Sequence, residues 1–467
     1  MSGTPRQRVA VIGGGLAGLA ASCALADAGY TVTLFERRPY LGGRASSYEH
    51  PGTGEVVDNC QHLLLGCCTN LIKFYDHLGV SDKIRWFDEM TFIEPGGRVS
   101  RVEPSWLPAP LHNAPSFLRA HYLSMRDKAA IGRAFVAMSG KLPADSEENF
   151  LQWLQRHGQT PRAIERFWKP VLTSALNEDL DRMSVPHSMQ VFRKSFLKSA
   201  AAGRIGLPAI PLSQLYASAV DYIERRGGQV QLRAAVTSIC PHGKTVKIGA
   251  VSGQEDFDYA ILAVPFQLVP SLLPQDSVGE QLRKSSEHFV PSPITGIHLW
   301  FDREFTPLPH AALLDRTIQW MFQKSKFQEE RYREGGGSYV ELVVSSSKSL
   351  VQKSREEVLD LAQRELAEFF PEVKAAKVVK AAVIKEIYAT YSIVPGLDQY
   401  RPPATSPWPR LFLAGDWTAT EWPATMEGAV RSGYLAAEAL ADASGMPLKL
   451  MVADLPATGL MRLLPNK

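Results

Sequence analysis

The chain has 467 residues, 45% hydrophobic and 21% charged, with a formal net charge of only +3. That length exceeds one small domain, and the near-neutral balance excludes the global positive field that gathers nucleic acid. Cys23, Cys60, Cys67, Cys68 and Cys240 are odd in number and irregular in spacing, which fits a reducing compartment better than a disulfide framework. Without paired C-x-x-C motifs no metal site is expected.

In chain order, Val9-Ala10-Val11-Ile12 reads as a short buried strand that stops at Gly13-Gly14-Gly15. Leu16 to Ala28 changes to a helical Ala/Leu composition, Gly29 ends it, and Thr31 to Phe35 is a second strand tipped by Glu36. Gly13, Gly15 and Gly18 form G-x-G-x-x-G. The first glycine makes the turn, the second admits a pyrophosphate to the backbone, and the third packs the helix on the strand. The helix opening at Leu16 and Ala17 points its N–H groups at the phosphates. Glu36 suits a ribose hydroxyl. This is a dinucleotide site at the level of sequence. Arg6 and Arg8 before an apolar run imitate a secretory leader, but the glycines interrupt it. No window reaches the roughly 18 apolar residues of a spanning helix, so the reading is a cytoplasmic chain without a membrane span.

Directly after Glu36 and Arg37 come Gly42-Gly43-Arg44, which a plain nicotinamide fold does not need. The paired glycines let backbone approach a diphosphate, and Arg44 can offer it a charged fork. Here the sequence resembles the amine oxidase/carotenoid desaturase superfamily of FAD enzymes, which carries this G-G-R segment after its ribose-binding glutamate. The resemblance implies FAD as cofactor. It also implies an α/β fold, with a Rossmann-type FAD domain assembled from discontinuous segments and an α+β substrate domain.

Asp58-Asn59-Cys60-Gln61-His62 and Gly66-Cys67-Cys68-Thr69-Asn70 are unusually polar for core elements. Taken alone, His62 is more often a structural histidine than a catalyst. Residues 104–138 contain four prolines in their first twelve positions, with Trp106, Leu107, Leu111, Phe117 and Leu118 among basic residues. They read equally as a surface that dips into a bilayer or as a helical cap. Asp145 to Ser199 is helical, and its Trp153, Phe167 and Trp168 stripe is core or tunnel lining. Gly203 to Pro211 is a breaker run, Leu212 to Arg225 a helix, and Gln229 to Ile239 a strand pair. In the superfamily the strand matching Val236 lies against the adenine. Tyr259 to Val264, Pro291 to Phe301, Ser338 to Ser346 and Val378 to Tyr391 are strands, and Val351 to Phe370 is an amphipathic helix.

The second strong motif is Arg410 to Ala437: a buried strand, Gly415-Asp416, a Trp- and Thr-rich loop, and a helix starting near Met426. The helix start at Thr425, Met426, Glu427 and Ala429 aims N–H groups at the N1/O2 edge of a flavin. Superfamily amine oxidases place tyrosine where this chain has Thr425, and a lysine in the strand matching Val290 to Phe301, which has none. Both departures weigh against amines. A-T-M-E-G-A-V-R-S-G resembles phytoene desaturases and the squalene-associated FAD enzymes of hopanoid operons, the hydroxysqualene dehydroxylases. The closer match is to the latter, through Asp58, Asn59, Gln61, His62, Gly66, then Gly203, Gly206, Leu207, Pro208, Pro211, Leu212, and Gly415 to Thr418.

That resemblance implies reductive removal of an allylic hydroxyl from hydroxysqualene: an acid protonates the leaving hydroxyl, and reduced flavin delivers hydride to the allylic cation. His62 is the first choice for the acid, with Tyr391 and Glu427 behind it. The alternatives are a desaturase of a polyisoprenoid such as phytoene, and a non-catalytic lipid-binding flavoprotein. The implied partners are a hydrophobic polyisoprenoid, the cytoplasmic face of a membrane and an unidentified reductant. The expected division is an FAD domain of 1–85, 210–285 and 390–447, a substrate domain of 86–209 and 286–389, and a tail of 448–467. The tail reads as a membrane foot or, more readily, a frayed end.

Overall fold

The computed structural model describes residues 6–140, 142–328 and 337–463. Its first sheet has five parallel strands in the order Gln229–Gln231, Thr31–Phe35, Arg8–Ile12, Tyr259–Leu262, Leu411–Leu413. Parallel strands are covered on both faces, which is why residues 9–12, Tyr259–Leu262 and Leu411–Leu413 are continuous apolar runs, while Gln229–Gln231 at the sheet edge stays polar. The helix Leu16–Asp27 is buried from Leu16 to Ala26. It lies against the helix Met426–Ala443 so closely that a Cβ on Gly433 would stand 2.2 Å from the Ala17 carbonyl oxygen. Small residues on both helices are what permit that backbone approach, and it locks the two ends of the chain together.

The second sheet has seven strands, in the order Val378–Tyr391, Pro291–Phe301, Ser338–Ser345, Trp320–Gln323, His310–Leu313, Met90–Ile93, Val99–Val102. The helix Arg355–Phe369 covers one face with Val358, Ala362, Leu366 and Phe369, and a Ser354–Glu357 capping box starts it. Helices at Met125–Met138, Phe150–Arg156, Lys169–Leu176 and Val185–Lys194 pack through Ile131, Ala134, Phe150, Trp153, Leu172 and Phe192. The first sheet's strands fall within 1–85, 210–285 and 390–447. Those of the second fall within 86–209 and 286–389, its longest running on to Tyr391.

Two expectations change. Gln229 to Ile239 does hold two strands, but they do not pair with each other. Arg233 takes a positive φ of 56°, turning the chain so that Gln229–Gln231 joins the parallel sheet. Val236–His242 then opens a separate antiparallel sheet with Thr245–Ala250 and Gly253–Phe257. The tail does not fray over its described part, because buried polar groups tie it down. Glu438 accepts from the N–H groups of Leu450 (2.5 Å) and Met451 (3.0 Å), and Asn70 accepts from that of Val452 at 2.9 Å. Asp454 pairs with Lys194 (3.2 Å) and Arg431, and the Leu460 N–H donates to the Ala109 carbonyl at 2.8 Å. Among the described residues no helix is long and apolar enough to cross a membrane.

Candidate functional site

One continuous cavity runs along the carboxyl ends of the parallel strands and under the second sheet. Its first stretch is the glycine turn. Gly13 has φ of 111°, and a Cβ there would stand 2.4 Å from the Ala263 carbonyl, so no other residue makes this turn. Gly15 and Gly42 bridge as if in a sheet, and a Cβ on Gly43 would come within 3.0 Å of the Gly15 Cα. Two glycine segments therefore form one floor where backbone meets ligand.

The sequence-derived cofactor residues converge on this cavity. Gly13, Gly15, Leu16, Ala17, Glu36, Arg37, Gly42, Gly43, Arg44, Val236, Gly415, Asp416, Thr425, Met426, Glu427 and Ala429 all line it. Gly18 does not. A Cβ there would sit 1.9 Å from the Gly13 carbonyl, so its job is packing the helix onto the turn. The Glu36 carboxylate accepts from the N–H groups of Gly14 and Arg38, both at 2.7 Å, which fixes the turn and leaves lone pairs for ribose hydroxyls. Arg44 Nη2 meets Asp416 Oδ1 at 2.5 Å, joining the two motifs. Thr425 caps the Met426 helix, its hydroxyl accepting from the Gly428 N–H at 3.1 Å. These residues fit FAD: a glycine floor for the diphosphate, a carboxylate for the ribose and a capped helix start.

A family model described as flavin containing amine oxidoreductase matches residues 16–441. The chain belongs to that family, and FAD is its cofactor. Among curated relatives of this family member, the 15-cis-phytoene desaturase of Synechococcus elongatus is 27% identical over 454 residues, covering 93% of this chain and 95% of its own. That of Capsicum annuum is 28% identical, covering 92% and 77%. Cyclohexylamine oxidase from Brevibacterium oxydans superposes with a TM-score of 0.69 at 16% identity, covering 94% of this chain and 100% of its own. An oxidoreductase from Methanosarcina mazei gives 0.70 at 17%, covering 91% and 98%. At such identities the structures show the fold alone, the amine oxidase-like FAD fold.

The three acid candidates are placed differently. His62 lines the cavity with Nδ1 2.8 Å from the Cys60 carbonyl; burial pulls its pKa below the ordinary imidazole range. Tyr391 is not in the cavity wall. It is fully buried against Phe289, its hydroxyl 3.3 Å from the Asp416 carbonyl, and burial pushes the phenol upward, which withdraws it as an acid. Glu427 borders the cavity, but its carboxylate is spent elsewhere. It accepts from Asn70 N–H (3.2 Å), Asn70 Nδ2 (3.0 Å), Leu71 N–H (2.8 Å) and Arg431 Nε (2.7 Å). Glu427 thus pins the start of the helix Thr69–His77 beside the cofactor floor, and a saturated carboxylate is no proton donor.

Three features escaped the sequence reading. Arg401 is buried and holds the loop after Asp416 through the carbonyls of Thr418 and Trp422, both at 2.6 Å. Lys324, almost fully buried, lies 2.5 Å from Asp58 and 3.1 Å from Glu341, behind the Asn59–His62 wall. Burial lifts the Glu341 carboxyl to about 7 against the pull of Lys324. The helix Val185–Lys194 brings His187, Gln190, Val191 and Lys194 to the cavity. Their spacing of three, four and seven was visible in the chain as one helical face.

Proposed function

We propose that this FAD-dependent oxidoreductase acts on a long polyisoprenoid, and that its reaction is reductive dehydroxylation of hydroxysqualene to squalene. The observation that carries the reading is the polar run Asn59, Gln61 and His62 set in the wall of a cavity that Leu63, Leu268, Leu272, Trp320 and Phe322 also face. An apolar chain needs the latter, and a departing hydroxyl needs the former.

Bound reduced FAD supplies the hydride. The protein's part is positioning, exclusion of water and the proton. The Trp320 and Phe322 rings stack 5.6 Å apart at the wall and offer π faces to positive charge on a substrate carbon. The capped start at Met426 presents N–H groups toward negative charge. His62 spends its Nδ1–H on the Cys60 carbonyl, so it gives a proton to the hydroxyl oxygen through Nε2 only in the imidazolium form, which burial disfavours and which the substrate complex must restore.

The second reading is oxidative desaturation of a polyisoprenoid such as phytoene, and the curated relatives, themselves phytoene desaturases, support it better than they support dehydroxylation. Anaerobic incubation with hydroxysqualene under reduced flavin, and with phytoene under oxidised flavin, followed by mass spectrometry of the hydrocarbon, separates the two. Flavin that neither substrate reoxidises or reduces would leave only lipid binding.

The reading extends to a peripheral contact with the cytoplasmic membrane, where such a substrate dissolves. Trp106 is 90% exposed and Leu463 81%, with Leu111, Leu118, Met125 and Leu460 also exposed. The Leu460–Ala109 hydrogen bond sets the tail beside the 104–138 segment, so two distant apolar stretches share one face. The rest of that segment is cap: Ile131, Ala134 and Met138 are core.

A further inference from the structure

The helix Val185–Lys194 forms the cavity wall along the loop Thr420–Trp422. Two of its three polar cavity side chains are committed to that loop or to the tail. Gln190 Nε2 donates to the Glu421 carbonyl at 2.6 Å; Lys194 Nζ pairs with Asp454 at 3.2 Å and stands 4.9 Å over the Trp422 ring. His187 differs. It is 4% exposed, it lines the cavity, and neither ring nitrogen has a hydrogen-bond partner among the described residues.

Its nearest charge is Asp398, 3.3 Å from Nε2 without hydrogen-bond geometry; that carboxylate is 42% exposed and is already engaged by Arg401 Nη1 at 3.1 Å. Burial, with the nearby Arg401 and Lys194 cations, outweighs Asp398 and lowers the imidazole to about 4, which favours the uncharged ring at neutral pH. A neutral imidazole carries one donor and one acceptor, the same pair of functions as an alcohol. Buried polar atoms are almost always partnered, and an orphan facing a ligand cavity is a partner waiting for the ligand. A hydrocarbon cannot supply it.

We propose that His187 is a specificity-determining residue that hydrogen-bonds a hydroxyl on an otherwise hydrocarbon substrate, selecting a polyisoprenoid alcohol over the parent polyene. This rests on the hydroxylated-substrate reading above and names the residue that recognises the oxygen. Sites that hydrogen-bond a substrate hydroxyl reject the analogue lacking it, because their own polar group is then left bare.

The test is binding without turnover. Holoprotein with oxidised FAD is titrated anaerobically with micellar hydroxysqualene and, separately, squalene, following the flavin absorption band. Wild type is expected to bind hydroxysqualene about tenfold tighter than squalene, the factor of one neutral hydrogen bond. H187L abolishes the preference while retaining squalene binding, and H187N, which keeps an amide in the place of one ring edge, restores part of it. Flavin content reports folding, and if H187L does not hold FAD the H187N comparison with wild type carries the test. Equal binding of both ligands by wild type, or an undiminished preference in H187L or in H187N as its stand-in, overturns the proposal. A wild-type preference with no squalene from the reduced enzyme would instead defeat the dehydroxylase reading and leave this assignment standing.

Discussion

Arg44 Nη2 lies 2.5 Å from Asp416 Oδ1, although 372 positions separate the two residues. The pair closes the cofactor floor by joining the Gly42-Gly43 segment to the Gly415 strand end, and Arg44 Nη1 adds the Ala389 carbonyl at 3.3 Å. Removing the charge with D416N should let the guanidinium drift and weaken FAD binding by tenfold or more, about 1.4 kcal/mol. R44K should do the same, because an ammonium cannot span two acceptors with a planar fork. The flavin-to-protein absorbance ratio after desalting measures both, and full flavin retention in both variants would contradict this role.

Glu36 makes a second test of the floor. Its oxygens hold the Gly14 and Arg38 N–H groups at 2.7 Å, so E36A loosens the turn as well as the ribose contact. E36Q keeps acceptors on one oxygen only. FAD affinity should fall in the order wild type, E36Q, E36A, measured by titrating apoprotein with FAD.

The Asp58–Lys324–Glu341 cluster gives a pH signature. Opposite charge from Lys324 holds the buried Asp58 carboxyl below its ordinary range, whereas burial raises Glu341 to about 7. A carboxyl raised on folding binds more protons in the native than in the unfolded state between its unfolded value, about 4.3, and its folded value. Stability therefore falls as pH rises through that window and levels off above it. E341Q should flatten the fall, seen as a wild-type minus variant difference in Tm that grows as pH is lowered from 7 to 5. K324M should be costlier, roughly 3–5 kcal/mol, because it strands two buried carboxyls. A parallel pH dependence in wild type and E341Q would place the titration elsewhere.

His62 faces the cavity, and H62Q should retain FAD while losing turnover by about 10²-fold or more. Unchanged turnover would eliminate His62 as the proton donor.

Trp106 and Leu463 lie on the exposed apolar face. Replacing both with serine should reduce co-sedimentation with anionic phospholipid vesicles several-fold and leave flavin content unchanged. Equal sedimentation would remove the membrane contact.

Much of this site was legible because its signals are local. G-x-G-x-x-G, Gly42-Gly43-Arg44 and Gly415-Asp416 each depend on backbone that only those residues allow, so their positions are written in consecutive letters. Tyr391 misled because its exclusion from the cavity comes from Phe289 and the Asp416 backbone, both distant in sequence. Glu427 misled because Asn70 and Leu71, far away in sequence, take its oxygens together with Arg431 one turn along its own helix. Lys324 was invisible since nothing beside it signals Asp58 or Glu341. His187 was within reach, as its helical spacing from Gln190, Val191 and Lys194 marks one face, but only the packing shows that this face meets a cavity.

The most direct measurement is a single turnover. Photoreduced holoprotein is mixed anaerobically with hydroxysqualene, and flavin reoxidation is followed together with the hydrocarbon product. The prediction is one squalene per flavin reoxidised. Hydroxysqualene recovered intact, from protein whose oxidised flavin instead desaturates phytoene, would contradict it.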